Sequence, residues 1–280
     1  MKIGIIGMGL MGASFARTLI KKNAAEVYAY DLDPAVMLKA ELLGIENRLT
    51  LDNVGELDML VVCIFPKDVK AALLPDLPKL KTGAIVMDFC GVKREVVKVF
   101  DEFALSYPDV KFVGGHPMAG REFSGIEHST VNLYERASMI LVPVTEDIFF
   151  LDYLKNFFLS LGFGKVVVTT AENHDKMIAF TSQLCHVVSN NYIKNKSALS
   201  HDGYSAGSYK DLTRVARLNP VMWTELMMSN NDFILEELNE FITHLIAYRD
   251  ALLNKDAEGL KKLLAEGNEL KLQIDVRNKQ

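Results

Sequence analysis

Three glycines, Gly7, Gly9 and Gly12, stand between an apolar run at 3–6 and a stretch of helical apolar spacing at 13–22. They constrain the fold of this chain more than any other feature. A buried strand that turns on glycine into a helix opens a parallel βαβ unit, and each glycine has a separate task. Gly7 allows the tight turn, Gly9 lets the backbone touch a pyrophosphate, and Gly12 packs the helix against the strand. The free N–H groups at the helix start, beginning at Leu10 and Met11, then face the phosphates. A second strand at 27–30 ends at Asp31, about 20 residues on, where an acid binds the adenine ribose hydroxyls. Asp31 also repels a 2′-phosphate, and no arginine follows it closely. The expected cofactor is therefore NAD rather than NADP.

The same rhythm continues through the first half. Helices are expected at 34–43, 67–74 and 93–106, and strands at 58–65, 84–88 and 110–113. The near-continuous apolar run at 58–65 suits a central parallel strand. The fold class is thus α/β, a Rossmann-type doubly wound parallel sheet whose ligands bind outside the carboxyl ends of the strands. Phe65 and Pro66, the turn from Asp88 to Gly91, and His116 all lie at such ends and should meet in one crevice. Strands at 138–142 and 165–168, around a helix at 146–161, extend the sheet. The alternation then stops. Only helical periodicity follows, at 174–195, 211–217, 220–249 and 257–276. Two domains are expected, 1–169 for the nucleotide and 170–280 as an all-α substrate-binding and dimerisation domain. The 220–249 helix looks too long and too apolar for one core, which favours a helical homodimer interface.

With 280 residues, 49% of them hydrophobic and 24% charged, the chain has an ordinary globular composition. A net charge of −5 argues against nucleic acid or an anionic membrane as partner and leaves a small-molecule substrate. No run of about 18 apolar residues offers a transmembrane helix, and the N-terminal glycines would spoil a signal peptide. Three scattered cysteines without CxxC spacing fit a reducing cytoplasm, and no metal site is expected.

The run Phe112-Val113-Gly114-Gly115-His116-Pro117-Met118-Ala119-Gly120 carries the clearest chemical signal. It delivers a histidine at a strand end, held extended by the following proline, where it can exchange a proton near neutral pH. Four further blocks accompany it: 120–127, Glu172-Asn173-His174-Asp175, Ser182-Gln183-Leu184-Cys185-His186, and the pair Tyr209-Lys210-Asp211-Leu212-Thr213-Arg214 with Asn219-Pro220-Val221-Met222-Trp223. Together they resemble the prephenate dehydrogenases, which oxidatively decarboxylate prephenate in tyrosine biosynthesis, and their arogenate-using relatives. The resemblance runs from the first strand to about residue 230.

That resemblance implies that His116 is the base at the substrate C4 hydroxyl and that Arg214 binds a carboxylate through its planar fork. His186 by its apolar surroundings is a core histidine, whereas the resemblance implies a substrate-side role. His174 and Asp175 are expected to be mainly structural. Trp223 packs near the site, near the dimer seam, or in the core. Two departures stand out. Many relatives carry Gly-Ser-Val-Lys where this chain has Cys90-Gly91-Val92-Lys93, so Gly91 lacks the hydroxyl that helps position the histidine and the nicotinamide. Either a neighbour such as Ser124 or a water substitutes, or catalysis is weaker. Arg121 either adds a second carboxylate contact or is a solvated loop arginine. Glu122 is a candidate, by position, for discriminating the keto from the amino side chain. The competing classes are a β-hydroxyacid dehydrogenase, for which Lys176 is the nearby lysine, and a nucleotide-sensing protein without catalysis.

Overall fold

The computed structural model describes residues 1–121, 123–145 and 147–277. It divides into two units, 1–230 and 231–280. The first holds strands β1 (Lys2–Ile6), β2 (Glu26–Tyr30), β3 (Asn47–Arg48), β4 (Met59–Val62), β5 (Ile85–Asp88), β6 (Lys111–Pro117), β7 (Ser138–Pro143) and β8 (Lys165–Val168). Its helices are α1 (Leu10–Lys21), α2 (Pro34–Leu42), α3 (Val69–Leu73), α4 (Arg94–Ser106), α5 (Ile148–Ser160), α6 (Ala171–Ile178), α7 (Cys185–Tyr192), α8 (Gly207–Thr213) and α9 (Pro220–Met228). A π-helical stretch, Ala179–Leu184, joins α6 to α7.

The strands form one sheet in the order β3-β2-β1-β4-β5-β6-β7-β8. The first six run parallel, as the alternation predicts. The last two depart from a wholly parallel sheet, because β7 pairs antiparallel with β6 and β8 follows β7 in parallel. The reason is the connection. Among the described residues of 118–137 the one regular element is a 3₁₀ turn, Ile126–His128, and β7 returns antiparallel beside β6, whereas α5 supplies a crossover between β7 and β8. Pairing with β7 also extends β6 through His116 to Pro117, four residues beyond the expected strand end.

Side chains alternate across the sheet and build a core on each face. Ile3, Ile5, Met59, Val61 and Met87 join Phe15, Tyr134 and Phe158 on one side. Ile6, Leu60, Val62 and Val86 join Val96, Phe100 and Phe112 on the other. Each fully buried aliphatic side chain contributes roughly 1.5–3 kcal/mol.

The expected 220–249 helix is interrupted. Asn230, fully buried, donates from Nδ2 to the Asp175 carbonyl at 2.9 Å and to Gln183 Oε1 at 2.6 Å, and accepts from Arg94 Nη2 at 2.9 Å. Those bonds tie the chain to α6 and α4 just beyond α9, which ends at Met228. The second unit is a helical hairpin of α10 (Asn231–Leu253) and α11 (Ala257–Arg277), with Lys255 in the left-handed region at the turn. No helix among the described residues is long and apolar enough to cross a membrane.

The glycine pair of β6 marks a close approach. A β-carbon on Gly114 would lie 3.1 Å from the Lys93 side chain, and one on Gly115 would lie 2.6 Å from the Asp88 carbonyl oxygen. Gly115→Ala should therefore destabilise the protein by about 1–3 kcal/mol, the usual cost of overpacking. The check is its thermal midpoint beside that of wild type, and an unchanged midpoint would contradict the packing argument.

Candidate active site

At the carboxyl end of β1, Gly7 turns the chain at φ +92°. A β-carbon there would lie 2.5 Å from the Cys63 carbonyl oxygen, and one on Gly12 would collide with the carbonyl of Gly7. At Gly9, the residue that caps α1, a β-carbon would meet nothing within 4 Å. The first and third glycines are thus demanded by the protein's own backbone, and the second opens onto free space at the helix start, where Leu10 and Met11 begin α1. That cradle fits a pyrophosphate. Asp31 closes it from β2: its carboxylate accepts from the Met8 N–H at 2.7 Å and the Asp33 N–H at 3.0 Å, which fixes its orientation.

Two strands further along the sheet, β5 ends at Asp88. Asp88 and Lys93 are both fully buried and form an ion pair. Asp88 also accepts from the Cys90 N–H at 2.8 Å and the Gly115 N–H at 3.2 Å. The backbone N–H groups of Lys93 and Arg94 donate to Asp175 at 2.7 and 2.9 Å. Asp175 Oδ1 in turn lies 2.7 Å from His174 Nδ1, and His174 Nε2 lies 2.8 Å from His116 Nδ1.

The electrostatics follow from that burial. Burial, then the neighbouring His174 and Lys93, push the His116 pKa well below its ordinary value. His174 is also lowered, since its burial outweighs the pull of Asp175. Burial alone would raise the Asp175 carboxyl, but the bonds from His174, Arg94 and Lys93 outweigh it and hold it low. A neutral imidazole results, in a half-buried position at a strand end.

A second cluster sits on α7. His186 Nδ1 is 3.2 Å from the Val215 carbonyl, Ser189 Oγ donates to the Leu212 carbonyl at 2.7 Å, and Asn190 Nδ2 donates to the Ala216 carbonyl at 2.9 Å. This polar row pins the segment that carries Arg214. Burial and the nearby Arg214 lower the His186 pKa, and its ring lies 4.0 Å from that of Trp223 on α9. One turn on, Leu226 lies beside Gly91, and its carbonyl accepts from Gln183 Nε2 at 3.0 Å. Helix α9 therefore spans from the Arg214 cluster to the end of β5.

Two family models match almost the whole chain. The nucleotide-binding domain of prephenate dehydrogenase matches residues 15–168, and the prephenate dehydrogenase dimerization domain matches residues 170–266. The chain belongs to the prephenate dehydrogenase family. It is 30% identical over 283 residues to the cyclohexadienyl dehydrogenase of Zymomonas mobilis, covering 97% of this chain and 95% of that protein. Among solved structures it resembles prephenate dehydrogenase from Aquifex aeolicus in complex with hydroxyphenyl propionate and NAD+, with a TM-score of 0.82, 28% identity and 98% of each chain covered. It likewise resembles Synechocystis arogenate dehydrogenase, with a TM-score of 0.80 and 26% identity over 98% of this chain and 100% of that one.

Within this dehydrogenase, the residues expected from sequence are distributed as follows. Phe65 and Pro66 follow β4 into a 3₁₀ turn, where Lys67 lies over the Phe65 ring and pairs with Glu225 of α9 at 2.8 Å. The other Glu225 oxygen, Oε1, is buried without a protein donor among the described residues. Ser124 is exposed in the loop after β6, and the side chain that holds His116 is His174 instead. His174 and Asp175, expected to be mainly structural, thus lie directly behind His116. Arg121 is exposed and donates to the His128 carbonyl of its own loop at 3.3 Å. Glu122 lies outside the described residues. Lys176, which a β-hydroxyacid dehydrogenase would need, is exposed while its neighbours His174 and Asp175 face inward. Sequence reasoning also missed Ser189 and Asn190, although with His186 they form an i, i+3, i+4 polar row on one helix face. Among the described residues no cluster of His, Cys, Asp and Glu could hold a metal ion.

A surface cavity of about 640 Å³ lies elsewhere, at the amino ends of the strands, among Met1, Lys81, Lys111 and Tyr153. Its lysines are already paired with Asp58 and Asp147, and it is at the wrong end of the sheet for this chemistry.

Removing one partner of the Asp88–Lys93 pair leaves a buried charge uncompensated, which costs about 3–5 kcal/mol. Lys93→Met should lower the unfolding free energy by that amount in urea titration. Stability equal to wild type would mean that the pair contributes nothing net.

Proposed function

We propose that this chain is an NAD-dependent dehydrogenase that oxidises prephenate, with loss of CO2, to 4-hydroxyphenylpyruvate, arogenate being the alternative substrate. The observation that carries the reading is His116, a neutral imidazole at the carboxyl end of β6, engaged through Nδ1. Its Nε2 accepts the proton of the C4 hydroxyl as the C4 hydride departs. The bond to the ring carboxylate breaks, CO2 leaves, and the electrons of that bond make the ring aromatic. The phenolate oxygen then retakes the proton from His116, so the reaction releases no net proton. Such a base is worth roughly 10²–10⁴-fold in rate.

NAD supplies the hydride acceptor when bound, and Gly7, Gly9, Leu10, Met11, Gly12 and Asp31 would hold it, with Phe65, Pro66 and Gly91 lining the nicotinamide side. The fixed carboxylate of Asp31, followed by Leu32 rather than an arginine, supports NAD over NADP. Arg214 and His186 receive the substrate carboxylates, the guanidinium as a planar fork. The relatives include a cyclohexadienyl dehydrogenase and an arogenate dehydrogenase, which keeps arogenate as a substrate to be assayed. The reaction is assigned to the cytoplasm.

The test is NADH formation at 340 nm with NAD and prephenate, then arogenate. Wild type should turn over one or both, and His116→Asn should lose about 10²–10⁴-fold. Because His116 is lowered, it stays unprotonated as pH falls through 6.5, and kcat/KM should drop only at still lower pH. No turnover of either substrate would overturn the reading.

We also propose a homodimer through the helical region. The matched dimerization domain supports it, as do the exposed Leu235, Leu245, Leu252, Leu264, Leu270 and Ile274 of α10 and α11. Sedimentation velocity at micromolar protein should give a dimer, and a monomer would count against this arrangement.

A further inference from the structure

The bond between His116 and His174 has a direction that the surrounding groups dictate. Asp175 is fully buried, accepts from two backbone N–H groups, and presents Oδ1 to His174 Nδ1 at 2.7 Å. A carboxylate can only accept, so His174 Nδ1 carries the hydrogen. A neutral His174 then has its lone pair on Nε2. The nitrogen 2.8 Å away, His116 Nδ1, must donate into that lone pair. His116 is left with its own lone pair on Nε2.

We propose that His174 and Asp175 are positioning residues for the base, a two-step relay that fixes His116 as the Nδ1–H tautomer and steadies the charge it gains. The inference rests on the reading of His116 as the base. When His116 Nε2 takes the substrate proton, the positive charge of the imidazolium is shared toward Asp175 through the two bonds. The charged groups facing the pair are Asp88 at the end of β5, Lys93 in the following turn, Arg94 at the start of α4, and Asp175 itself on α6. Lys93 and Asp88 offset one another as a buried pair, which leaves Asp175 as the carboxylate directly bonded to the histidines. Gly91 explains why the relay matters here: the turn after β5 has no hydroxyl to offer the base, so the orientation of His116 depends on β6 and on His174.

Two substitutions read the relay in opposite ways. In Asp175→Asn, an amide N–H facing His174 Nδ1 would make that nitrogen an acceptor, move its hydrogen to Nε2, and force the His116 hydrogen onto Nε2 as well. The analogous wrong-tautomer change in the serine-protease triad costs about 10⁴-fold in kcat. In His174→Gln, the side-chain oxygen can still accept from His116 Nδ1, so the loss should be much smaller than in His174→Leu. The KM for NAD should be unaffected in all three.

The direct measurement needs no substrate: the ¹⁵N spectrum of histidine-labelled full-length protein, with His116 assigned by comparison with His116→Asn. Wild type should show protonated Nδ1 and bare Nε2 at neutral pH, and Asp175→Asn should show the reverse. Wild type with the hydrogen on Nε2 would overturn the relay whatever the enzyme's substrate proves to be. So would a His174→Leu enzyme with wild-type kcat and an unmoved acid limb of kcat/KM. Failure of the substrate assay alone, with the expected tautomer in the spectrum, would overturn only the reading of the reaction.

Discussion

The site depends on a closed circuit of polar contacts around the end of β5. Asp88 binds the Lys93 ammonium and the Gly115 N–H. Gly115 precedes His116, His116 meets His174, His174 meets Asp175, and Asp175 accepts from the backbone of Lys93. Three stretches distant in sequence are thereby tied into one object: the end of β5 with its turn and the start of α4, the end of β6, and α6, the first helix of the all-α half. Buried charges at such density are tolerated because each finds several partners. The two glycines of β6 belong to the circuit as much as the charged residues do. Gly114 makes room for the Lys93 chain, and Gly115 allows the Asp88 backbone to approach.

The second half of the site is built by a different device. Arg214 stands on an irregular segment after α8, whose backbone carbonyls cannot satisfy one another as in a helix. Three side chains of α7 take up carbonyls there and in the last turn of α8, those of Val215, Ala216 and Leu212. Trp223 packs on His186, and Gln183 and Asn230 hold the α9 region from below. Arg214 and His116, to which we assign the carboxylate and the proton, are therefore positioned independently, and α9 is the element that relates them.

Much of this was legible in the sequence. The GxGxxG loop, the βα alternation and the switch to helices after residue 168 each follow from a local pattern, because strand and helix periods are properties of neighbouring residues. The resemblance pointed to His116 and Arg214, whose roles are our proposal. What escaped was whatever depended on a distant partner. The antiparallel return of β7 goes with a connection in which no crossover helix stands among the described residues. At the break after α9 the run Ser229-Asn230-Asn231-Asp232 is a local turn signal, but the bonds of Asn230 to Asp175 and Gln183 depend on distant partners. His174 and Asp175 look like an ordinary polar helix start until β6 is seen lying against them.

The same circuit sets two requirements on the base we propose, His116, against each other and meets both. A base must be neutral before the reaction, and burial beside Lys93 secures that by disfavouring the imidazolium. It must also bear a positive charge during the reaction, which an apolar pocket alone would resist. Asp175, one imidazole away, favours the charged form without touching His116 itself. Direct contact with a carboxylate would raise the His116 pKa and leave the base protonated over more of the neutral range. Inserting His174 between them weakens that pull while preserving its direction. The position of the carboxylate, one imidazole away from the proposed base rather than in contact with it, lets a buried histidine rest neutral and still have its charge offset when it takes a proton.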